Sequence, residues 1–350
     1  MFPEGFAKFW IEELTNPGQV VLDPFCGRGT TPFQALLMGR RAIAIDVNPV
    51  AFCLTFAKTN SPSLGALTGR LTRLERAFDK SEWRGIGSRL PPFFRVAFRP
   101  KVLQTLFYLR ETLNWRESPV DCMIAALVLG ILHGEAGATR PYLSNQMPRT
   151  ISTKPAYSIR YWEQHELTAP NRDVFEELRK QANFRYESVP PRRTGEVFLD
   201  DMRDLPRLIG TNRKIQCAIT SPPYRDVTHF EEDQWLRLWF LGGPPRPTHG
   251  LVSRDDRLRG PDLYWRMIGD MWRTLGLVLS PDSNIVIRLG SRTNSPEELV
   301  EALKGSGVLS RRKLYLQSYE VSEIKRRQTH SFRPGTKGCR VEVDCHFSMT

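Results

Sequence analysis

Two runs without a polar residue, Val20-Val21-Leu22 and Ala42-Ile43-Ala44-Ile45, flank a glycine loop, and each run ends on an aspartate. Runs that are apolar at successive positions read as strands covered on both faces, the condition of a parallel sheet. Parallel neighbours need a crossover, so the pattern predicts strand 20–23, a helix over 32–38 and strand 42–46. Thr31, Pro32 and Gln34 supply its start: a capping hydroxyl, a proline at the first helical position and a return partner. The implied fold class is α/β.

The remainder of the chain extends this unit and interrupts it. An amphipathic helix over 2–14 precedes it. Helical patterns at 66–80, 97–114, 119–132 and 170–181 come after it, separated by loops rich in proline and arginine. Strands resume at 196–199, 215–220 and 284–289, with helices over 262–279 and 296–304. Runs 314–319 and 341–347 read as a closing hairpin. The expected organisation is a domain of residues 1–59 plus 196–350, mostly parallel with a C-terminal antiparallel hairpin, carrying a largely helical insertion over 60–195. A length of 350 residues with 40% hydrophobic content suits such a domain and excludes general disorder. The longest apolar stretch, Cys122 to Leu132, is too short to span a bilayer, and no secretory signal opens the chain. Six cysteines without a CxxC pair, and six dispersed histidines, argue against a metal site and a disulfide framework. A reducing cytoplasm is the expected compartment.

Charge narrows the partners. The net charge is +12, and 39 of the 50 basic residues are arginine, whose fork matches phosphate and guanine edges. An arginine-rich genome would spread that excess evenly. Residues 1–59 are balanced, 196–350 carry +4, and 60–195 carry +8 from 21 basic and 13 acidic side chains. A codon effect would not select one segment, so a polyanionic partner for the insertion is expected.

Two motifs carry chemistry. The first is Asp23-Pro24-Phe25-Cys26-Gly27-Arg28-Gly29-Thr30-Thr31, where glycines allow a tight turn and close backbone approach. Asp46 ends the second strand, a place where a carboxylate accepts hydrogen bonds from ribose hydroxyls. The loop lacks the third glycine of a dinucleotide fingerprint and the lysine of a phosphate loop, so a nucleoside without a pyrophosphate suits it better. The second motif is Thr220-Ser221-Pro222-Pro223-Tyr224, at a strand end. Its prolines remove two donors and leave the Ser221 hydroxyl and the carbonyls as acceptors, while Tyr224 offers a face for a base. Taken alone, the segment reads equally well as a stiff turn with a packing tyrosine.

Together the motifs resemble the S-adenosylmethionine-dependent DNA amino-methyltransferases, most closely the N4-cytosine group, with matching segments over 2–57 and 196–290. The resemblance implies a Rossmann-like methyltransferase sheet. It implies cofactor binding by Phe2 and Pro3 of the first helix, by Asp23, Pro24, Phe25, Gly27, Gly29, Thr30 and Thr31 of the loop, and by Asp46 and Asp201. TSPPY is similar to the family's catalytic tetrapeptide, which gives Ser221, Pro222, Pro223 and Tyr224 the chemical step on a flipped cytosine in duplex DNA. The cysteines lack a Pro-Cys context, which disfavours a thiol nucleophile and C5 chemistry. Adenine N6 as target, RNA as substrate, and a non-catalytic DNA-binding paralogue are the alternatives. The implied setting is bacterial, at the nucleoid, with double-stranded DNA and a cognate restriction endonuclease as partners.

The insertion supplies the expected grip on DNA. From Ala136 to Trp162 no acidic residue occurs. Arg140, Arg149, Lys154 and Arg160 are candidates for phosphates, Asn145 and Gln146 for base edges, and Tyr142 and Tyr157 for stacking. A second basic stretch, 311–340, reads more simply as a solvated hairpin.

Overall fold

The computed structural model describes residues 3–137, 141–148, 154–191, 193–224, 230–248, 261–291, 293–323, 339 and 341–350. Seven strands form one sheet: β1 (Val20–Asp23), β2 (Arg41–Ile45), β3 (Glu196–Phe198), β4 (Cys217–Thr220), β5 (Ser283–Ser291), β6 (Leu314–Glu323) and β7 (Val341–Met349). Their order is β3-β2-β1-β4-β5-β7-β6. The first five are parallel neighbours, and β7 runs antiparallel to both β5 and β6. This is the mostly parallel Rossmann-like sheet with a closing hairpin that the sequence predicts.

Both faces are covered, which explains the unbroken apolar runs. Leu22, Ile43, Ile45 and Ile287 pack with Ile268, Met271, Trp272 and Leu275 of helix Pro261–Val278. On the other face Val21, Ala42 and Ile219 meet Phe6, Ala7 and Ile11 of α1 (Glu4–Leu14) and Ala35 and Leu36 of α2 (Thr30–Leu37). All four residues of β1 and of β4 are buried.

Two details around the glycine loop differ from the sequence-based expectation. Helix α2 starts earlier, because Gly29 in the left-handed region at φ +75° turns the chain into it. Thr31 is therefore not its cap; it is fully buried, and its hydroxyl donates to the Ile219 carbonyl at 3.2 Å. A further helix, α3 (Pro49–Thr59), escapes the periodicity reading because it is buried nearly all round. Its start is marked all the same: the Asn48 side chain accepts from the Val50 amide at 2.9 Å, and Pro49 comes next.

The chain divides into two compact units. The sheet unit comprises residues 1–60, 191–228 and 253–350, and the second unit comprises 61–190 and 229–252. Residues 229–252 thus depart from the expected boundaries, and the reason is aromatic. Trp235 and Trp239 of helix Trp235–Phe240 lie 5.0 Å from the Phe93 ring and 4.6 Å from the Phe94 ring. The second unit is helical, built around Leu64–Ala77, Pro100–Thr112, Pro119–Ile131 and Val174–Arg185, and Arg70 donates from Nε and Nη2 to the two carboxylate oxygens of a buried Asp121. Among the described residues no helix is long and apolar enough to cross a membrane. None of the six cysteines forms a disulfide, and all six are buried.

Candidate cofactor and catalytic site

In an open parallel sheet, ligands bind beyond the carboxyl ends of the strands, where the strand order reverses direction. Here the order reverses between β1 and β4. The glycine loop leaves β1 and the Ser221–Tyr224 segment leaves β4, so both motifs emerge at that point.

A buried hydrogen bond joins them. The Thr220 hydroxyl donates to Asp23 Oδ1 at 2.7 Å, and the Phe25 amide donates to the same oxygen at 3.2 Å. Asp23 is 2% exposed, and burial pushes its carboxyl up from 3.8 to about 7. This aspartate is a joint between two loops, screened from solvent, rather than an open ligand-facing carboxylate.

Asp46, beyond the end of β2, does face the loop. Its Oδ2 accepts from the Gly27 amide and its Oδ1 from the Asn48 amide, both at 2.9 Å. The loop is braced from behind by α3, where the Thr55 hydroxyl donates to the Gly27 carbonyl at 3.1 Å and Lys58 Nζ to the Arg28 carbonyl at 2.7 Å. The two glycines do different things. A Cβ on Gly29 would lie 2.7 Å from Thr55 Oγ1 and 3.1 Å from its Cα, so packing against α3 requires that glycine. Gly27 adopts φ +51° with nothing within 4 Å of a Cβ position, which leaves open space beside the backbone. Pro24 is buried, whereas Phe25 and Thr30 are half-buried.

Asp201 lies in the loop after β3, where its side chain caps a short turn by accepting from the Arg203 amide at 2.9 Å. Pro3 is exposed at the start of α1, its carbonyl accepting from the Phe6 amide. Phe2 lies outside the described residues. Cys26 and Cys217 are buried, and burial raises both thiols, Cys217 to about 12. Neither supplies a thiolate at neutral pH.

Of the tetrapeptide, Pro222 is buried and Ser221, Pro223 and Tyr224 are half-buried. The Tyr224 hydroxyl donates to Glu342 Oε1 on β7 at 2.8 Å. Burial, then the charge of Glu342, push this phenol far above its ordinary range, against the pull of the Ser221 hydroxyl. Glu342 carries no signal in the sequence, being 118 residues away.

The expected DNA contacts separate into four groups. Arg140 and Arg149 lie outside the described residues. Asn145 is 5% exposed; its Nδ2 donates to the Leu167 carbonyl and its Oδ1 accepts from the Gln146 amide. Its amide is used inside the second unit. Tyr142 and Gln146 are half-buried; the Tyr142 ring occupies the space beside Gly134, and the Gln146 carbonyl accepts from Trp162 Nε1 at 2.7 Å. Lys154, Tyr157 and Arg160 are exposed, at the start and along helix Pro155–Gln164. Tyr161 and His165 continue the row from Tyr157, with ring centroids 6.4 and 4.2 Å apart in succession. The i, i+4 spacing that makes this row was legible, although a loop was expected there.

Comparison with known proteins bears on the first part of the chain. Residues 1–55 match the family model N6_N4_Mtase, described as DNA methylase. A stretch of 46 residues is 46% identical to the DNA adenine methyltransferase YhdJ of Escherichia coli (strain K12). That stretch covers 13% of this chain and spans only 16% of the relative's length. Among solved structures, TrmN from Thermus thermophilus aligns with a TM-score of 0.37 at 11% identity, over 100% of this chain and 49% of that one. A putative rRNA-methylase from Clostridium thermocellum aligns with a TM-score of 0.37 at 9% identity, over 99% and 96%.

Proposed function

We propose that the chain is a DNA amino-methyltransferase that uses S-adenosylmethionine and acts on cytosine N4. The observation that carries this reading is the Thr220–Asp23 hydrogen bond. It couples a glycine loop fit for a nucleoside to an acceptor-rich tetrapeptide at the sheet's reversal point. The match of residues 1–55 to the DNA methylase family supports it.

The residues present fit the cofactor: open space beside Gly27, a carboxylate at Asp46 beyond the end of β2, and Asp201 beyond β3. When bound, S-adenosylmethionine supplies an electrophilic methyl group. The chain must make the amino nitrogen a nucleophile. Its lone pair is delocalised into the ring, and acceptors placed against its two hydrogens favour the pyramidal form in which that pair is exposed. The Ser221 hydroxyl oxygen and the Pro222 carbonyl are those acceptors. Thr220, bonded to Asp23, fixes the residue before them, and two successive prolines stiffen the backbone through residue 223. Tyr224 stacks on the extruded base. Acceleration comes from positioning, worth several powers of ten when reactants are held in line.

Double-stranded DNA in the cytoplasm is the proposed substrate, held in part by Lys154, Tyr157 and Arg160. The likeness to a DNA adenine methyltransferase favours a second reading, transfer to adenine N6. Rapid-quench methyl transfer to unmethylated duplex, with the product nucleoside identified by mass spectrometry, separates the two. N4-methylcytosine is expected. N6-methyladenine establishes the second reading, and transfer to RNA alone overturns both.

A further inference from the structure

We infer that Glu342 is a positioning residue for Tyr224, holding the tyrosine ring in the orientation that receives the base. This rests on the stacking role given to Tyr224 under the proposed function. The geometry points to it from two sides. Gly290 and Glu342 are directly opposed in the antiparallel pairing of β5 with β7. A Cβ on Gly290 would lie 2.7 Å from Tyr224 Cε2 and 2.6 Å from Cys339 Sγ, so the ring crosses the strand where a side chain would otherwise stand. Its hydroxyl then reaches Glu342 across the pair at 2.8 Å.

The carboxylate is itself held. Its second oxygen lies 3.6 Å from Arg288 Nη1, and Arg288 gives two hydrogen bonds, at 2.5 and 2.6 Å, to Asp344. Arg288 and Asp344 are opposed in the same ladder and are 7% and 5% exposed. The Phe6 ring of α1 lies 4.1 Å from the guanidinium carbon, a desolvated cation–π contact. Two carboxylates therefore share one arginine on rigid strands, and the one not fully neutralised accepts the phenol in a charge-assisted bond. A tyrosine side chain has two soft torsions. Seating its ring over a glycine and tying its hydroxyl to a strand removes both freedoms, which readies the ring for a base before DNA arrives.

If stacking alone mattered, only the ring would be needed and Tyr224→Phe would be mild; anchoring through the hydroxyl predicts the opposite. Single-turnover methyl transfer to unmethylated plasmid DNA tests it, alongside calorimetry with S-adenosylmethionine. Tyr224→Phe and Glu342→Ala should each slow transfer about tenfold or more with cofactor affinity unchanged. The double variant should be no slower than the slower single, as expected for two ends of one contact. Glu342→Gln, which keeps an acceptor and the shape of the side chain, should recover most of the rate. Independent, additive losses, or Tyr224→Phe at the parental rate, overturn the inference. A second readout needs no activity. With tyrosine labelled at Cζ, the Tyr224 carbon-13 signal, assigned by its loss in Tyr224→Phe, should move in Glu342→Gln. An unmoved signal overturns the contact. If the parental chain methylates no DNA while that signal moves, the proposed function has failed and the anchoring of Tyr224 stands.

Discussion

The carboxyl ends of β1 and β4 and the acid-free segment 136–162 both stand out in the sequence, yet they differ in how far a motif foretells its geometry. In the first region the signal comes from glycines and prolines, which restrict the backbone itself. Segments 197 residues apart consequently meet through the Thr220–Asp23 bond. In the second region the signal is compositional. A lack of acidic residues says nothing about which side chains point outward, and Ser144 and Asn145 turn into the core. A constrained backbone tells where a group will be, whereas a charge bias tells only what the neighbourhood attracts.

The largest expected effect tests the first region as chemistry. Ser221→Ala should lower the single-turnover rate by about 10²–10³, far more than it weakens DNA or cofactor binding, by analogy with a lost oxyanion donor. A parental rate in the folded variant would remove the tetrapeptide from the chemical step. Next comes the division of labour between the glycines. Gly29→Ala must hold a side chain at φ +75° against Thr55, and should destabilise the fold by about 2–4 kcal/mol in urea titration. Gly27→Ala also holds a side chain at positive φ, +51°, but meets empty space, so it should cost less, about 1–2 kcal/mol, while weakening cofactor binding. Equal effects at the two positions would erase the distinction.

The second region has its own pair of expectations. Asn145→Ala removes buried hydrogen bonds and should cost about 1–3 kcal/mol of stability, with no change in the salt dependence of DNA binding. Lys154→Gln with Arg160→Gln should leave stability alone and reduce the slope of log affinity against log salt by about two. A change of slope in Asn145→Ala would restore that residue to the DNA surface. The last expectation concerns pH. The Asp23 carboxyl is raised to about 7 by burial, so its contribution to stability is full below about 3.8 and is lost as pH rises through about 7. Thermal midpoints of the parental chain should therefore fall more between about pH 5 and about pH 8 than those of Asp23→Asn. Parallel curves would mean that Asp23 is not protonated when folded.

Much of the sheet was legible because burial on both faces leaves unbroken apolar runs, and β1 begins and ends at the expected residues. Helix α3 was missed for a related reason: buried nearly all round, it lacks the alternation that betrays a helix at a surface. The loop and tetrapeptide were legible as motifs, but the roles within them were not. Nothing local separates Gly29, packed on Thr55, from Gly27, which faces open space, or tells that Asp23 points at Thr220. Those distinctions arise from residues distant in the chain. Glu342 is the extreme case, an ordinary surface-type residue in the sequence that becomes a neighbour of Tyr224 only when β7 pairs with β5.

The burial of every cysteine has a practical corollary. A thiol-alkylating reagent can react only with molecules that have opened, so labelling kinetics become a clock for local unfolding. Cys122 lies in the second unit and Cys26, Cys53, Cys217, Cys339 and Cys345 in the first. Mass spectrometry of the modified peptides would thus time the opening of each unit separately within one unmodified chain, with no introduced probe. Addition of S-adenosylmethionine should then slow the clock at Cys26 while leaving that at Cys122 running.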